Sequence, residues 1–451
     1  MTRVLFFAPR DCRPPNTGAK LRNYHLCREL SREAHVTYLS FEEDNEDAGN
    51  DAVVEDMAER ILTVPHHNPT TPIQLARGLV GPWPFTVLKY TTPAMQSRLA
   101  ALLRAETFDV VLMHSLLMSA YGPLLKSAKP RPLLICDWHN VDSEVLERYA
   151  AHAPNLPRKI YALATARRLA RLEKAQMPRF DAHFTVSDRD TRHLRSLSPD
   201  SAVWTLENGT ETAGFARGEA GGAQVQRFAD RRQKDRRQKQ VPLAEDQVER
   251  RQGDRRQNQR RERGAPHRIL FVGSMDYHPN VDAALHFAQN TWPRVHSQRP
   301  GWVFTIVGRD PSPAVRELAQ LPGIEVTGTV PDVRPFYREA LASVVPLRVG
   351  GGSRLKILEA MAARVPVVST TLGAEGLEVS DGETILIADE PAEMARVLLE
   401  LSQDAPRSAA MVEKAHQLML SRYDWSAIGT RLRAICAELL EAKTALEGVE
   451  K

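Results

Sequence analysis

Three consecutive glycines, Gly350, Gly351 and Gly352, stand directly ahead of the run Ser353-Arg-Leu-Lys-Ile-Leu-Glu359. A strand-like apolar run ends at Leu347, and the glycines then let the backbone approach a ligand closely. Ser353 is a good N-cap, so a helix is expected from Arg354, with Leu355, Leu358 and Met361 on one apolar face. A strand, a glycine loop and a helix N-terminus in this order make an anion site, because unpaired N–H groups and the helix dipole point at the ligand. Arg348, Arg354 and Lys356 add fixed positive charge, and a pyrophosphate is the anion this pattern suits. Glu359, one turn beyond Lys356, has the chemistry to hold the paired hydroxyls of a ribose. Without the glycines, the same side chains would read as a solvated helix face with an i, i+3 ion pair. The Gly-Lys-Ser/Thr ending of a P-loop is missing.

Two further stretches offer chemistry. Cys136-Asp-Trp-His-Asn140 closes a strand at the edge where open α/β sheets bind ligands. Pro14-Pro-Asn-Thr-Gly-Ala-Lys20 follows the first strand and opens a helix. His114 ends another strand and reads as structural. Asp188-Arg-Asp190 imitates a metal-binding Asp-x-Asp, but its place at a helix start with no second ligand nearby argues coincidence.

These residues need a scaffold, and the chain of 451 residues is long enough for two domains. Apolar runs at 3–8, 35–41, 60–65, 108–114, 132–137, 182–187 and 202–206 alternate with helical stretches such as 19–33 and 92–105. A second series follows at 268–272, 302–307, 324–327, 343–347, 365–369 and 384–388, and the chain is helical from Pro406 almost to its end. Short β-rich runs with helical crossovers predict parallel sheets covered on both faces. The fold class expected is α/β, with two Rossmann-like doubly wound domains. The boundaries read as 1–212, 267–420 and a C-terminal helical segment 421–451. Between them, 213–266 is an Arg-rich, low-complexity insertion with an imperfect Asp/Glu-Arg-Arg-Gln repeat, read as a flexible linker.

Charge and cysteine content exclude several classes. Between Arg227 and Arg263 there are 14 Lys/Arg against 7 Asp/Glu, more than the whole formal charge of +4, so the rest is net acidic. That is no general nucleic-acid footprint, and a nucleic-acid partner is not expected. Four cysteines without C-x-x-C spacing suggest neither a zinc site nor a disulfide framework. The first residues do not form a signal peptide, and no run has the ~18–20 apolar residues of a membrane span. A cytoplasmic protein is expected, with room for peripheral contact at the inner face of the membrane through the basic stretch 158–174.

The segments Phe271–Asp282, Gly328–Arg334, Gly352–Ala362, Pro366–Thr370 and Gly373–Leu377 resemble glycosyltransferase family 4. Within it they are similar to the sugar transferases of exosortase-associated bacterial exopolysaccharide loci. The resemblance is specific over 268–389, looser over the first ~210 residues, and does not reach the insertion. It implies a GT-B fold, two domains facing a central cleft with the C-terminal helices crossing back, no cofactor and no essential metal. It also implies retention of anomeric configuration. The donor would be a nucleotide-diphosphate sugar, bound around Gly273, Ser274, Arg348, Gly350, Gly351, Gly352, Ser353 and Glu359. Lys356 and Arg354 would steady the departing diphosphate, and His139 matches the family's active-site histidine. Asn16, Gly18 and Lys20 would lie on the side of the acceptor, a glycan or lipid-linked glycan. Two departures stand out: Gly351 occupies the place of a donor-contacting Glu, and Ser274 and Asn280 replace the Arg and Lys that grip the diphosphate. A nucleotide-sugar 2-epimerase and a non-catalytic nucleotide-sugar sensor or scaffold are the rival readings.

Overall fold

The computed structural model describes residues 1–15, 17–42, 57–66, 70–151, 155–215, 267–350 and 354–449. Asn16, Gly351, Gly352, Ser353 and residues 216–266 of the expected insertion lie outside them. The chain forms two compact units. Met1–Gly209 and Arg422–Lys451 build the first, and Thr210–Gly350 with Arg354–Ser421 builds the second.

The first unit is a seven-stranded, all-parallel sheet in the order β3-β2-β1-β4-β5-β6-β7. Its strands are β1 (Thr2–Ala8), β2 (Ala34–Phe41), β3 (Arg60–Val64), β4 (Val110–His114), β5 (Leu133–Trp138), β6 (Ala182–Thr185) and β7 (Val203–Thr205). Central strands are apolar without alternation because helices cover both faces; every residue of β4 and β5 is buried. Helix α1 (Gly18–Ser31) follows β1, α2 (Asp142–Ala151) follows β5, and α3 (Leu156–Gln176) packs along α2.

The second unit repeats the plan with six parallel strands in the order β10-β9-β8-β11-β12-β13. These are β8 (Arg268–Val272), β9 (Val303–Val307), β10 (Ile324–Val326), β11 (Ala340–Val345), β12 (Val367–Ser369) and β13 (Leu386–Ile387). Helix α4 (His278–His286) follows β8, and α5 (Leu355–Ala362) joins β11 to β12. In each sheet the winding direction reverses beside the first strand of the series, between β1 and β4 and between β8 and β11. Crevices at the carboxyl ends of strands flanking such a reversal are where open α/β sheets take ligands.

Ala213-Gly-Phe215, expected at the start of the insertion, instead forms a single turn whose Phe215 packs edge-on to Tyr337, ring centroids 5.8 Å apart. At the other end, α6 (Trp425–Val449) lies against α1, and its Trp425, Ile428, Leu432 and Cys436 belong to the first unit's core. Ion pairs fasten it there. Glu207 takes Arg422 at 2.6 Å and Arg431 at 2.7 Å, while Glu29 takes Arg433 at 2.9 Å. Among the described residues no helix is long and apolar enough to cross a membrane.

Candidate active site

Two loops of the second unit converge at its reversal point. One follows β8 and carries Gly273 and Ser274; the other follows β11 and leads into α5. They meet through Lys356, whose Nζ donates to Asn280 Oδ1 at 2.7 Å and sits 4.4 Å from the centre of the Phe271 ring. Asn280 is fixed in turn, its Nδ2 donating to the Ser274 carbonyl at 2.9 Å. Gly273 leaves the space this requires: a Cβ there would lie 2.7 Å from Asn280 Nδ2 and 3.1 Å from Lys356 Nζ. Burial, and secondarily the neighbouring Arg354 charge, pushes the Lys356 ammonium down to about 7, with Glu359 pulling the other way. Such an ammonium gains from any anion that restores its charge.

Arg309, which sequence reasoning did not single out, stands at the end of β9 with its Nε donating to Ser274 Oγ at 2.8 Å. It brings a guanidinium beside Gly273 where the family's arginine is absent. Its loop is tightly built against the first, since a Cβ on Gly308 would fall 1.6 Å from the Gly273 carbonyl oxygen. No signal in the Val-Gly-Arg-Asp run marked it, because the contact depends on two adjacent parallel strands ending in register, Val272 beside Val307.

The other cations of the expected cluster have different partners. Arg348 makes a two-pronged bond to Asp282, at 2.6 and 3.2 Å. Arg354 is 5% exposed and donates to the Leu372 carbonyl at 2.8 Å, bracing the loop after β12. It occupies the N-cap position itself, so α5 begins at Leu355, one residue later than expected. The face α5 buries is Ile357, Leu358, Ala360, Met361 and Ala362, with Leu355 only partly covered. Glu359 and Lys356 go to separate partners. Glu359 Oε2 accepts from the buried Tyr337 hydroxyl at 2.9 Å, and burial raises its carboxyl to about 7 against the pull of Tyr337 and Lys356. Gly350 has φ +100°, and a Cβ there would meet Pro279 at 2.7 Å, so this position needs glycine twice over.

In the first unit, Gly18 opens α1 and Lys20, on its first turn, is buried. His139 lies just past β5, its ring edge-on to His114 with centroids 3.6 Å apart. Burial, then the His114 charge, holds the His139 imidazole well below its usual value. Ligand atoms of His114, Asp137 and His139 all lie within 4.8 Å of one another, a spacing within the reach of a single metal ion. Both Asp137 oxygens are already gripped by Arg22, at 2.5 and 2.9 Å, and that fixed guanidinium opposes a second cation.

Residues 17–213 match the family model described as Glycosyltransferase Family 4, and residues 266–404 match that described as Glycosyl transferases group 1. Each of the two glycosyltransferase models thus matches part of the chain, and the two parallel-sheet units have a GT-B-like fold. Among solved structures it is similar to sucrose-phosphate synthase of Thermosynechococcus elongatus, at 15% identity and TM-score 0.64 over 98% of this chain and 100% of that one. It is similar to Anabaena HepE in complex with UDP and glucose, at 13% identity and TM-score 0.60 over 97% and 100%. WaaG, a glycosyltransferase involved in lipopolysaccharide biosynthesis, matches at 13% identity and TM-score 0.57 over 96% and 99%. These likenesses show the fold. A 44.6 kDa uncharacterized protein in the cps region of Klebsiella pneumoniae is 24% identical over 164 residues, 35% of this chain. Glycogen synthase of Mycobacterium tuberculosis is 26% identical over 179 residues, 38% of this chain. The chain spans about 42% of the length of the curated relatives it matches.

Proposed function

We propose that this protein is a retaining glycosyltransferase. It moves a sugar from a nucleotide-diphosphate donor to a glycan or lipid-linked glycan during assembly of a cell-surface polysaccharide. The observation that carries the reading is the Lys356–Asn280–Gly273 arrangement at the second unit's reversal point: a partly desolvated ammonium beside an open backbone, with Arg309 adjoining. The homology to glycosyltransferases supports it.

In this reading the donor diphosphate meets Lys356 and Arg309. Arg354 and Glu359 hold that frame from behind rather than touching phosphate. The sugar–phosphate bond breaks while the acceptor hydroxyl attacks the same face, and the departing phosphate oxygen takes the hydroxyl proton. The protein supplies preorganised positive charge where negative charge develops. His139 steadies a hydroxyl of the sugar or the acceptor.

The test is incubation with a panel of nucleotide sugars and lipid-linked acceptors, measuring release of free nucleotide diphosphate and formation of a glycosylated product. Tight nucleotide binding without turnover on any acceptor would favour a sensor. Interconversion of the nucleotide sugar in the absence of acceptor would favour the epimerase.

We also propose peripheral contact with anionic membrane. Val145, Tyr149, Leu156 and Ile160 are exposed apolar side chains on α2 and α3, and Arg148, Arg158 and Lys159 accompany them. Co-sedimentation with anionic but not neutral vesicles, lost in Leu156→Ser/Ile160→Ser, checks this.

A further inference from the structure

The first unit contains a chain of charged and ring groups that diphosphate binding does not use. Arg22 on α1 and Asp137 at the end of β5 are both fully buried, although they are 115 positions apart. The guanidinium donates Nη2 to Oδ1 at 2.5 Å and Nε to Oδ2 at 2.9 Å. Its Nη1 is also bound, to the Glu207 carbonyl at 3.0 Å and Asn208 Oδ1 at 3.2 Å. His114 and Asp137 are register partners on adjacent strands, and His114 Nδ1 lies 2.8 Å from Asp137 Oδ2. The ring of His139 then abuts His114 at 86°. That Nδ1 stands at ion-pair distance from the carboxylate without an aligned hydrogen bond, and the Nε2 atoms of both histidines are buried and lack a hydrogen-bond partner among the described residues.

A fully buried ion pair is a poor way to gain stability, since desolvation offsets most of its attraction and apolar residues of similar volume would serve as well. What it does supply is fixed geometry. A carboxylate facing a ring Nδ1 keeps the proton on that nitrogen and leaves the Nε2 lone pair as an acceptor. Because Arg22 holds both carboxylate oxygens, Asp137 cannot swing away from His114.

We propose that Arg22, Asp137 and His114 are positioning residues for His139. Asp137, locked by Arg22, sets the tautomer and plane of the His114 ring, and that ring is the wall that orients the His139 imidazole toward a substrate hydroxyl. The proposal rests on the reading of His139 as a substrate contact, and its test separates the two.

The experiment uses the full chain with 15N-labelled histidine, its ring signals assigned from single-histidine variants. Wild-type protein is expected to show His114 as the Nδ1–H tautomer. Asp137→Asn and Arg22→Lys, which loses the two-pronged fork while keeping charge, should scramble that tautomer and move the His139 ring signals. His114→Phe keeps a ring and removes both nitrogens. It should fold with an unchanged melting temperature to within a few degrees, and lower kcat on the order of 10- to 100-fold with donor KM unchanged. Should Asp137→Asn fail to fold, Arg22→Lys and His114→Phe decide. An unmoved His114 tautomer in folded Arg22→Lys, or wild-type kcat in folded His114→Phe, overturns the proposal. If the wild-type protein transfers no sugar, the transferase reading fails, while the ring signals still show whether the network orders His139.

Discussion

Lys356 Nζ and Asn280 Oδ1 are joined across 2.7 Å only because Gly273 places no side chain between the two loops. The pair is thus a product of three positions, one just past the end of β8 and the others on the first turns of α4 and α5. Lys356→Ala should keep its fold and lose on the order of 100-fold in transfer rate. Initial rates at saturating donor, with melting temperature as control, measure this; an unchanged rate would remove the phosphate clamp.

The same ammonium predicts a pH effect on binding. Its value near 7 in the free protein means that Lys356 is largely neutral at alkaline pH. An anion prefers the charged form, so nucleotide-diphosphate affinity should fall as pH rises from 7.5 to 9, by up to about tenfold per unit. Titration calorimetry should also detect proton uptake on binding. Lys356→Arg, charged throughout, should flatten the profile; an equally steep profile in that variant refutes the assignment.

Arg309 and Arg348 should differ. Arg309 is anchored by Ser274 beside the proposed phosphate position, whereas Arg348 is already committed to Asp282. Arg309→Ala is expected to weaken nucleotide-diphosphate binding about tenfold, the loss of one charge-assisted bond. Arg348→Ala should cost less than threefold. The reverse order in equilibrium binding would move the phosphates toward α4.

Gly308→Ala tests packing alone. Its Cβ would fall 1.6 Å from the Gly273 carbonyl, which is backbone and cannot rotate away. A loss of about 2 kcal/mol or more is expected from denaturant unfolding of the second unit. Gly301→Ala, where a Cβ meets nothing within 4 Å, is the control.

Acid should destabilise the first unit. Burial lowers His25 to about 3, helped by Arg28, and lowers His183 to about 4 against the pull of the Met177 carbonyl. Their folded values lie below the unfolded ~6.5, so below that pH the unfolded chain takes up protons the native one refuses. Stability therefore falls as pH drops, by about 1.4 kcal/mol per unit for each of these histidines between roughly pH 6 and 4. Asp137, held well below the usual carboxylate range by Arg22 and His114 despite its burial, adds to the loss at still lower pH. Denaturant midpoints that stay level from pH 8 to 5 would contradict this.

The sheets were legible in the sequence because parallel strands covered on both faces are unbroken apolar runs, and each run expected as a strand is one. The start of β11 was less legible: its first residues, Ala340-Leu-Ala342, favour helix over strand by propensity, yet Ala340 and Ala342 pair with Arg268 and Ile269. Lys356 could be singled out because glycines and a helix flank it. Arg309 could not, since nothing local separates it from any charged loop residue. Arg354 shows the opposite limit. A cation at a helix start looks like an anion ligand until the carbonyl of Leu372, contributed by another loop, absorbs it. Pairing of Arg22 with Asp137 likewise exists only after the sheet has formed.

The return of α6 to the first unit has a consequence for biosynthesis. Trp425, Ile428 and Leu432 are nearly inaccessible to solvent there, each representing roughly 1.5–3 kcal/mol of burial. A nascent chain that has emerged only as far as residue 212 lacks this material, so the amino-terminal half must wait, incompletely closed, until Trp425, Ile428 and Leu432 have been made. The carboxy-terminal half, continuous from Thr210 to Ser421 apart from one short break, can settle first. Order of synthesis and order of folding would then run in opposite directions.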